Sequence, residues 1–183
     1  SDAMAEKAME LIGENIRRFV ANRTDVEAAE AMMVGSLFAG IAFSFARLGN
    51  VHAMSHPVSA FFDVPHGVAN AVLLPVVAEY NALADHGRYY KIYNYISEIP
   101  AYEDEFEPMM LVDAIRSLCK AIGIPANLTE AINQAGKTGS ISRETIEEKI
   151  EAMAADAMKS GNIAVNPRSS RQCDIEMLYR KAL

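Results

Sequence analysis

The sequence predicts an all-α protein, a helical bundle-like domain of eight or nine helices, and three observations support this. Apolar residues recur at intervals of three and four along most of the chain, which is the period of an amphipathic helix. Helix-capping and helix-breaking residues separate these segments. No segment alternates apolar and polar residues as a half-buried strand does, and no unit repeats at a fixed period. With 183 residues, a single domain over residues 1–183 is the favoured organisation.

The first two helices are predicted from capping signals and apolar content. One is predicted to run from the N-terminus to Val20, and Thr24 with Glu27 forms a capping-box pattern that begins the second. From residue 28 to residue 45 the second helix has hardly a charged residue, so we expect it to be buried on most of its surface. Its two glycines, Gly35 and Gly40, would let neighbouring helices approach closely.

The later helices follow in order and are separated by Gly, Pro and Asn residues. They are predicted at about 68–80, 88–96, 109–122, 127–135, 142–160 and 174–183, with a turn at 136–140. Another helix is expected over the histidine-containing stretch that precedes them.

Composition excludes some classes of function. Seventeen basic and 24 acidic residues give a net charge of −7, and the basic residues are not clustered, so we expect no nucleic-acid partner. No apolar run reaches the ~18 residues of a membrane span, so we expect no membrane partner. The two cysteines are far apart and no secretory signal precedes them, which favours free thiols in a reducing cytoplasm.

Three of the four histidines lie in the stretch 51–70. His52 and His56 are four residues apart, which places both imidazoles on one face of a helix and satisfies the spacing of two metal ligands. Ala53 stands where a zinc protease of this spacing has its glutamate, so that activity is disfavoured. His66 follows Pro65 in the first turn of the next helix, where the helix dipole disfavours the protonated imidazole and leaves it available to a metal.

The spacing alone leaves the role of these histidines open, because such a pair is also found as a satisfied pair in a helical core. Asp63 is the only acidic residue between residues 50 and 79, and we expect it to cap the following helix rather than to bind a metal. The fourth histidine, His86, is expected in a solvated loop.

The motifs around the histidines resemble those of the iron-containing (group III) alcohol dehydrogenases. The matching segments are GIAF at 40–43, LGNVHAMSHP at 48–57 and VPHGVANAVLLP at 64–75. The similarity continues at Asn81, at GIP (123–125) and at SGNIAVNPR (160–168), and so covers essentially the whole chain.

The resemblance implies the C-terminal, all-helical, metal-bearing domain of a two-domain enzyme. In that family an Asp and three His bind Fe²⁺ or Zn²⁺, and the later two histidines fall on His52 and His66. The histidine placed near substrate and nicotinamide falls on His56, and Phe43 falls on the apolar wall of the substrate pocket, although a plain core position is equally compatible with it. The implied reaction is reversible hydride transfer between a small alcohol or aldehyde and NAD or NADP.

Two parts of the family pattern are missing or altered. The chain begins Ser-Asp-Ala-Met, so its start is either a remnant of expression or the beginning of a piece of a longer protein. The family's Asp, its first His and its N-terminal NAD(P)-binding domain are expected before residue 1, so Asp2 is not a candidate ligand. Phe45 replaces a common Asn, Ser55 a common Ala and Ser59 a common Gly, and these changes affect the shape of the pocket.

Three hypotheses follow for this polypeptide. The first is the metal-binding, substrate-side domain of an NAD(P)-dependent alcohol dehydrogenase, inactive by itself and homo-oligomeric in the full-length parent. The second is a stand-alone helical metal-binding or interaction module that uses Asp63 or His86 as further ligands. The third is a purely structural helical domain with core histidines.

Overall fold

The structure is a computed structural model that describes residues 1–136 and 139–183. Within these residues there are ten α-helices, three short 3₁₀ helices and no strand, which confirms the all-α prediction. The predicted turn at 136–140 includes residues 137 and 138, which lie outside the described residues. The α-helices are α1 Asp2–Ala21, α2 Val26–Ala46, α3 Asn50–Phe62, α4 His66–Asn81, α5 Arg88–Ile96, α6 Pro108–Ala121, α7 Leu128–Ala135, α8 Arg143–Glu147, α9 Ile150–Met158 and α10 Gln172–Ala182. The 3₁₀ helices are Ala82–Ala84, Glu103–Glu105 and Ile163–Val165.

One predicted helix is divided in the structure. The segment expected to form a single helix at 142–160 contains α8 and α9, and Glu148 and Lys149 lie between them. Counting α8 and α9 as one helix gives nine helices among the described residues, which agrees with the predicted number.

The chain divides into two compact units. Unit 1 comprises residues 1–47 and 85–122, and unit 2 comprises residues 48–84 and 123–183. Each unit contains one cysteine, and both are free thiols. Cys119 in unit 1 is half-buried, and burial raises the pKa of its thiol, whereas Cys173 in unit 2 is exposed.

In unit 1, α1 packs along α2 and α5, and α5 packs against α6. Two glycines allow these close approaches. A Cβ at Gly13 would lie 2.2 Å from the carbonyl oxygen of Tyr95, and one at Gly35 would lie 2.8 Å from the side chain of Ile12. The prediction for Gly35 is therefore confirmed. The prediction for Gly40 is wrong, because nothing lies within 4 Å of the position its Cβ would take.

The cap of α2 is Asp25 and not the predicted Thr24. The Asp25 carboxylate accepts a hydrogen bond from the backbone N–H of Ala28 at 3.0 Å, and Arg18 pairs with the same carboxylate at 3.0 Å. Asp25 thus satisfies a backbone donor that has no partner within the helix.

The expectation that α2 is buried on most of its surface is wrong. Its buried residues are Ala28, Gly35 and Ala42, all of them small. Large apolar side chains are exposed instead, with Phe45 at 82% and Leu37 at 60% of their full accessibility. The apolar content of α2 means that burial of its side chains would be favourable. A side chain is buried, however, only where other parts of the protein pack against it.

Two helical segments are long and apolar enough to cross a membrane by length and composition, namely Val26–Ala46 and His66–Ala84. No uninterrupted apolar run reaches this length, whereas these segments qualify when up to two charged residues are allowed. Length and composition do not by themselves identify a membrane span, because a core helix of a soluble protein meets the same conditions.

Unit 2 contains a hydrophobic core formed by α3, α4, α7, α8, α9 and α10. The helices α3 and α4 pack together, α3 also packs on α9, and α10 packs on α9 and α4. The largest fully buried side chains of this core are Tyr179, Met54, Leu73, Leu128, Ile146, Ile150, Met153, Ile175 and Leu178. The histidine stretch therefore lies on two helices whose other faces are fixed in a core.

Candidate functional site

The start of α3 is held by side chains from a distant part of unit 2. Gly49, which precedes the helix, has a positive φ of 74°, and a Cβ there would lie 3.2 Å from Oδ1 of Asn166. The backbone N–H of Asn50 donates to the same Oδ1 at 3.1 Å, and the Asn50 side chain donates to Oγ of Ser170 at 2.8 Å. These bonds fix the first turn of α3, where His52 lies.

Asn166 also connects α3 to the end of α4. Its amide exchanges two hydrogen bonds with the amide of Asn81, at 2.8 and 3.2 Å, and donates to the carbonyl of Arg168 at 2.7 Å. Arg168 donates to the carbonyl of Tyr80 at 2.9 Å, and its guanidinium lies 3.9 Å from the centre of the Tyr80 ring. The contacts of Arg168 are thus structural.

The middle of α3 is fixed by Tyr179 of α10. Its hydroxyl donates to the carbonyl of Met54 at 2.6 Å, and both residues are fully buried. Burial raises the pKa of the Tyr179 hydroxyl, which therefore remains a neutral donor. Met54 lies between His52 and His56, so this bond fixes the backbone that carries both histidines.

The three histidines come together on the surface of unit 2. The ring centres of His52 and His66 are 5.3 Å apart, those of His56 and His66 are 5.1 Å apart and nearly parallel, and those of His52 and His56 are 6.5 Å apart. His66 is the first residue of α4, as predicted. A Cβ at Gly67 would meet nothing within 4 Å, so the space beside this helix start is open.

Nitrogen atoms of two of the rings share a neighbour, the side-chain amide of Asn70. The amide nitrogen of Asn70 lies 3.0 Å from Nε2 of His66 and 3.3 Å from Nε2 of His52. Oδ1 of Asn70 is buried and has no hydrogen-bond partner among the described residues. On the other side of the His66 ring, Nδ1 lies 3.4 Å from Oγ of Ser55.

The surroundings of His52 disfavour its protonated form. Burial lowers the pKa of its imidazole, and the neighbouring imidazoles of His66 and His56 lower it further when they are charged. A neutral imidazole has a free nitrogen lone pair, which is the form that binds a metal. His52 is half-buried, while His56 and His66 are exposed.

Nε2 of His52 and Nε2 of His66 could supply two of the ligands of a divalent cation. Imidazole nitrogen is an ordinary ligand of both iron and zinc. Among residues 1–136 and 139–183, no group of three or more His, Cys, Asp or Glu side chains is arranged to hold a metal ion. The pair formed by His52 and His66 is therefore an incomplete site.

The other acidic and histidine candidates lie elsewhere. The expectation that Asp63 caps the following helix is wrong, because Asp63 ends α3 in a left-handed conformation (φ 56°) and Pro65 occupies the cap position of α4. His86 is exposed, as expected, and lies in unit 1. Asp2 forms an ion pair with Arg88 at 2.9 Å.

Phe43 lies in unit 1, at the exposed end of α2, whereas the histidines lie in unit 2. It retains 46% of its accessibility, so a plain core position is excluded for it in this structure. Its assignment to a substrate pocket stays a prediction.

Several residues that shape the site were not recognised as such from the sequence. Asn70 carries a signal that could have identified it, because it is four residues after His66 and so lies on the same helix face. Ser55 differs from the residue common in the family, but no local pattern indicates its contact with His66. Asn166 and Tyr179 contact α3 across separations of 116 and 125 residues, which no local pattern reveals.

Comparisons with known proteins agree on one family. The model of the Fe-containing alcohol dehydrogenase family, C-terminal, matches residues 1–183. A 1,3-propanediol dehydrogenase of Citrobacter freundii is 37% identical over 183 residues, which are 100% of this chain and 44% of the relative. An NAD-dependent methanol dehydrogenase of Bacillus methanolicus is 32% identical, with 100% of this chain and 45% of the relative covered. An NADPH-dependent butanol dehydrogenase of Clostridium saccharobutylicum is 31% identical, with 98% and 43% covered.

Solved structures show the same similarity in three dimensions. A 1,3-propanediol oxidoreductase structure has a TM-score of 0.85 and 37% identity and covers 100% of this chain and 45% of its own. An alcohol dehydrogenase from Oenococcus oeni has a TM-score of 0.84 and 32% identity, with the same coverage. The chain spans less than half the length of the curated relatives it matches, 44% in the case of the 1,3-propanediol dehydrogenase. It belongs to the Fe-containing alcohol dehydrogenase family and corresponds to the C-terminal part of that family's enzymes.

Proposed function

We propose that this chain is the metal-binding, substrate-side domain, residues 1–183, of an NAD(P)-dependent alcohol dehydrogenase. The observation that carries the proposal is that Nε2 of His52 and Nε2 of His66 share one neighbour, the Asn70 amide nitrogen, at 3.3 and 3.0 Å. The match of the family model to the whole chain supports it. Fe²⁺ is the expected metal, with Zn²⁺ as the alternative.

The substrate and cofactor classes are proposed from the relatives. Their names specify 1,3-propanediol, methanol and butanol, so we infer a small alcohol or the corresponding aldehyde as the substrate. They also name both NAD and NADPH, so a nicotinamide cofactor is inferred without a choice between the two forms. Homo-oligomerisation of the full-length enzyme and a cytoplasmic location are part of the same proposal, and the two free thiols support the location.

The histidines divide into two roles. His52 and His66 would hold the metal through Nε2, and His52 is suited to this because its pKa is lowered by burial. When bound, a divalent cation supplies Lewis acidity to an alcohol or carbonyl oxygen. His56 is exposed and stacks on His66, so a ring nitrogen of His56 is accessible to take up or release the alcohol proton. The exposed ring of Phe43 would offer apolar surface to the substrate.

A zinc titration of the 183-residue chain tests the ligand assignment. We expect weak binding, because two imidazoles complete only half of the coordination that Zn²⁺ normally has. His52→Ala and His66→Ala should each lower the affinity by roughly tenfold or more. His56→Ala is the matched control, since it removes the third imidazole of the same cluster and should leave the affinity nearly unchanged.

Two results would contradict the proposal. Tight stoichiometric binding that survives His52→Ala would favour the stand-alone metal module, with His86→Ala and Asp63→Ala as the variants that then identify its ligands. Turnover of a small aldehyde by the 183-residue chain with NADH and Fe²⁺ would show that the described residues suffice for catalysis, whereas we expect none.

A further inference from the structure

Ser55 touches both proposed metal ligands from inside the protein. It lies on α3 between His52 and His56 and is fully buried. Its Oγ is 3.2 Å from the backbone carbonyl oxygen of His52 and 3.4 Å from Nδ1 of His66. This buried hydroxyl therefore connects the backbone of one proposed ligand to the ring of the other.

The number of hydrogen atoms decides the direction of these contacts. A serine hydroxyl has one hydrogen to donate, and a carbonyl oxygen can only accept. The hydroxyl hydrogen therefore goes to the His52 carbonyl. At the second contact Oγ must accept, and the only hydrogen available there is one carried by Nδ1 of His66.

The opposite side of the His66 ring leads to the same assignment independently. The Asn70 amide nitrogen has two hydrogens and no lone pair to offer. It lies 3.0 Å from Nε2 of His66 and 3.3 Å from Nε2 of His52, so each of these nitrogens accepts one hydrogen. Nε2 of His66 therefore carries a lone pair, which requires the hydrogen to be on Nδ1.

We infer that Ser55 is a positioning residue that favours the Nδ1–H tautomer of His66 and so keeps its Nε2 lone pair on the side of the Asn70 amide nitrogen, which Nε2 of His52 also faces. The consequence for metal binding rests on the proposed function. A ligand imidazole whose second nitrogen is held by a hydrogen-bond acceptor needs no change of tautomer or ring orientation to bind the ion. Ser55 on α3 thus holds the ring of His66 on α4 in the tautomer that can bind a metal through Nε2.

The tautomer can be observed directly without metal. With ¹⁵N-labelled histidine at about pH 8, where imidazoles are neutral, long-range ¹H–¹⁵N correlations distinguish a protonated from a bare ring nitrogen. We expect His66 of the wild-type chain to show protonated Nδ1 and bare Nε2. In Ser55→Ala the acceptor at Nδ1 is lost and only the Asn70 amide still favours this tautomer, so a minor but measurable fraction should shift to the Nε2–H tautomer.

Ser59→Ala is the matched control. Ser59 lies one turn further along α3, and its Oγ is buried with no hydrogen-bond partner among the described residues. This variant removes the same atoms from the same helix and should leave the tautomer of His66 unchanged. Thermal unfolding by circular dichroism establishes that both variants are folded.

Zinc affinity gives the second readout. Ser55→Ala should bind Zn²⁺ roughly tenfold more weakly than the wild-type chain and Ser59→Ala, as outer-shell partners of ligand histidines usually do. An unchanged His66 tautomer in Ser55→Ala, or a wild-type His66 that is mainly Nε2–H, would overturn the inference. Absence of Zn²⁺ binding in every chain would instead overturn the proposed function and leave the tautomer result to decide the role of Ser55.

Discussion

The two units use apolar residues in opposite ways. In unit 2, α3 and α4 bury large apolar side chains such as Met54 and Leu73 in a shared core, and polar side chains fix the start and the middle of α3. In unit 1, α2 is at least as apolar, yet Phe45 and Leu37 are largely exposed. The candidate site thus lies on helices that are held both by a buried core and by hydrogen bonds. Apolar content alone does not identify helices that are held in this way.

The largest expected effect contrasts two leucines. Leu73→Ala creates a cavity beside α4, where Leu73 is fully buried, and should lower the free energy of unfolding by about 2–5 kcal/mol. Leu37→Ala on α2 makes the same chemical change at a residue that is 60% exposed, and should change it by no more than about 0.5 kcal/mol. Urea denaturation followed by circular dichroism measures both. A comparable loss in the two variants would remove the contrast between the units.

The next effect concerns the polar contacts that hold α3. Asn166→Ala removes hydrogen bonds to Asn50, Asn81 and Arg168, and leaves the backbone N–H of Asn50 without that acceptor. We expect a loss of about 1–3 kcal/mol in the free energy of unfolding. Asn94→Ala in unit 1 removes two local bonds, to Ala101 and Tyr90, and should cost about 1 kcal/mol. The reverse order of the two losses would show that Asn166 is not a principal support of unit 2.

A single hydroxyl gives a smaller effect. Tyr179→Phe removes only the bond to the Met54 carbonyl and should cost about 1 kcal/mol, because one buried hydrogen bond is lost. Tyr93→Phe in unit 1 is the control, since Tyr93 packs its ring against Phe106 and that contact does not involve the hydroxyl. Equal thermal midpoints for wild-type and Tyr179→Phe chains would show that the bond does not stabilise α3.

The smallest effect is the acid sensitivity of unit 1. The pKa of Asp25 lies below its ordinary value because the Ala28 N–H donates to the carboxylate and because Arg18 is close. The ionised cap therefore contributes stability that is complete above the unfolded pKa, and this contribution is lost as the pH falls through the lower pKa of the folded state. Asp25→Asn keeps a capping acceptor but cannot titrate, so it should lose less stability between about pH 5 and about pH 2.

The exposed Asp104 provides the control for that titration. Thermal midpoints measured across this range should decline in Asp104→Asn as they do in the wild-type chain. A decline in Asp25→Asn that matches the wild type would show that the cap is not responsible.

Much of the fold was predictable because helices are defined by local periodicity and end signals. The helix at 88–96 was predicted with the bounds that α5 has, and His66 was placed correctly at the start of α4. The burial of α2 could not be predicted, because an apolar pattern does not specify its neighbours. The cap of α2 was displaced by one residue since both Thr24 and Asp25 are capable of capping.

The histidines of the candidate site could be identified from the sequence, but their arrangement in space and the contacts that support them could not. Spacing brought His52 and His56 to one face, whereas the resemblance to the dehydrogenases suggested the pairing of His52 with His66. The supporting contacts of Asn166 and Tyr179 depend on tertiary packing over more than a hundred residues. The contact between Ser55 and His66 depends on how α3 meets α4, which no pattern within either helix determines.

The distribution of cysteines gives each unit its own natural reporter. Cys173 of unit 2 is exposed and should react with a thiol reagent in the folded chain, whereas Cys119 of unit 1 is half-buried and has a raised pKa, so it should react slowly until unit 1 opens. In a Cys173→Ser chain, the labelling rate of Cys119 would therefore follow the opening of unit 1 alone. The unfolding of unit 1 can be timed in this way separately from the loss of helix in the whole chain, without introducing a foreign probe.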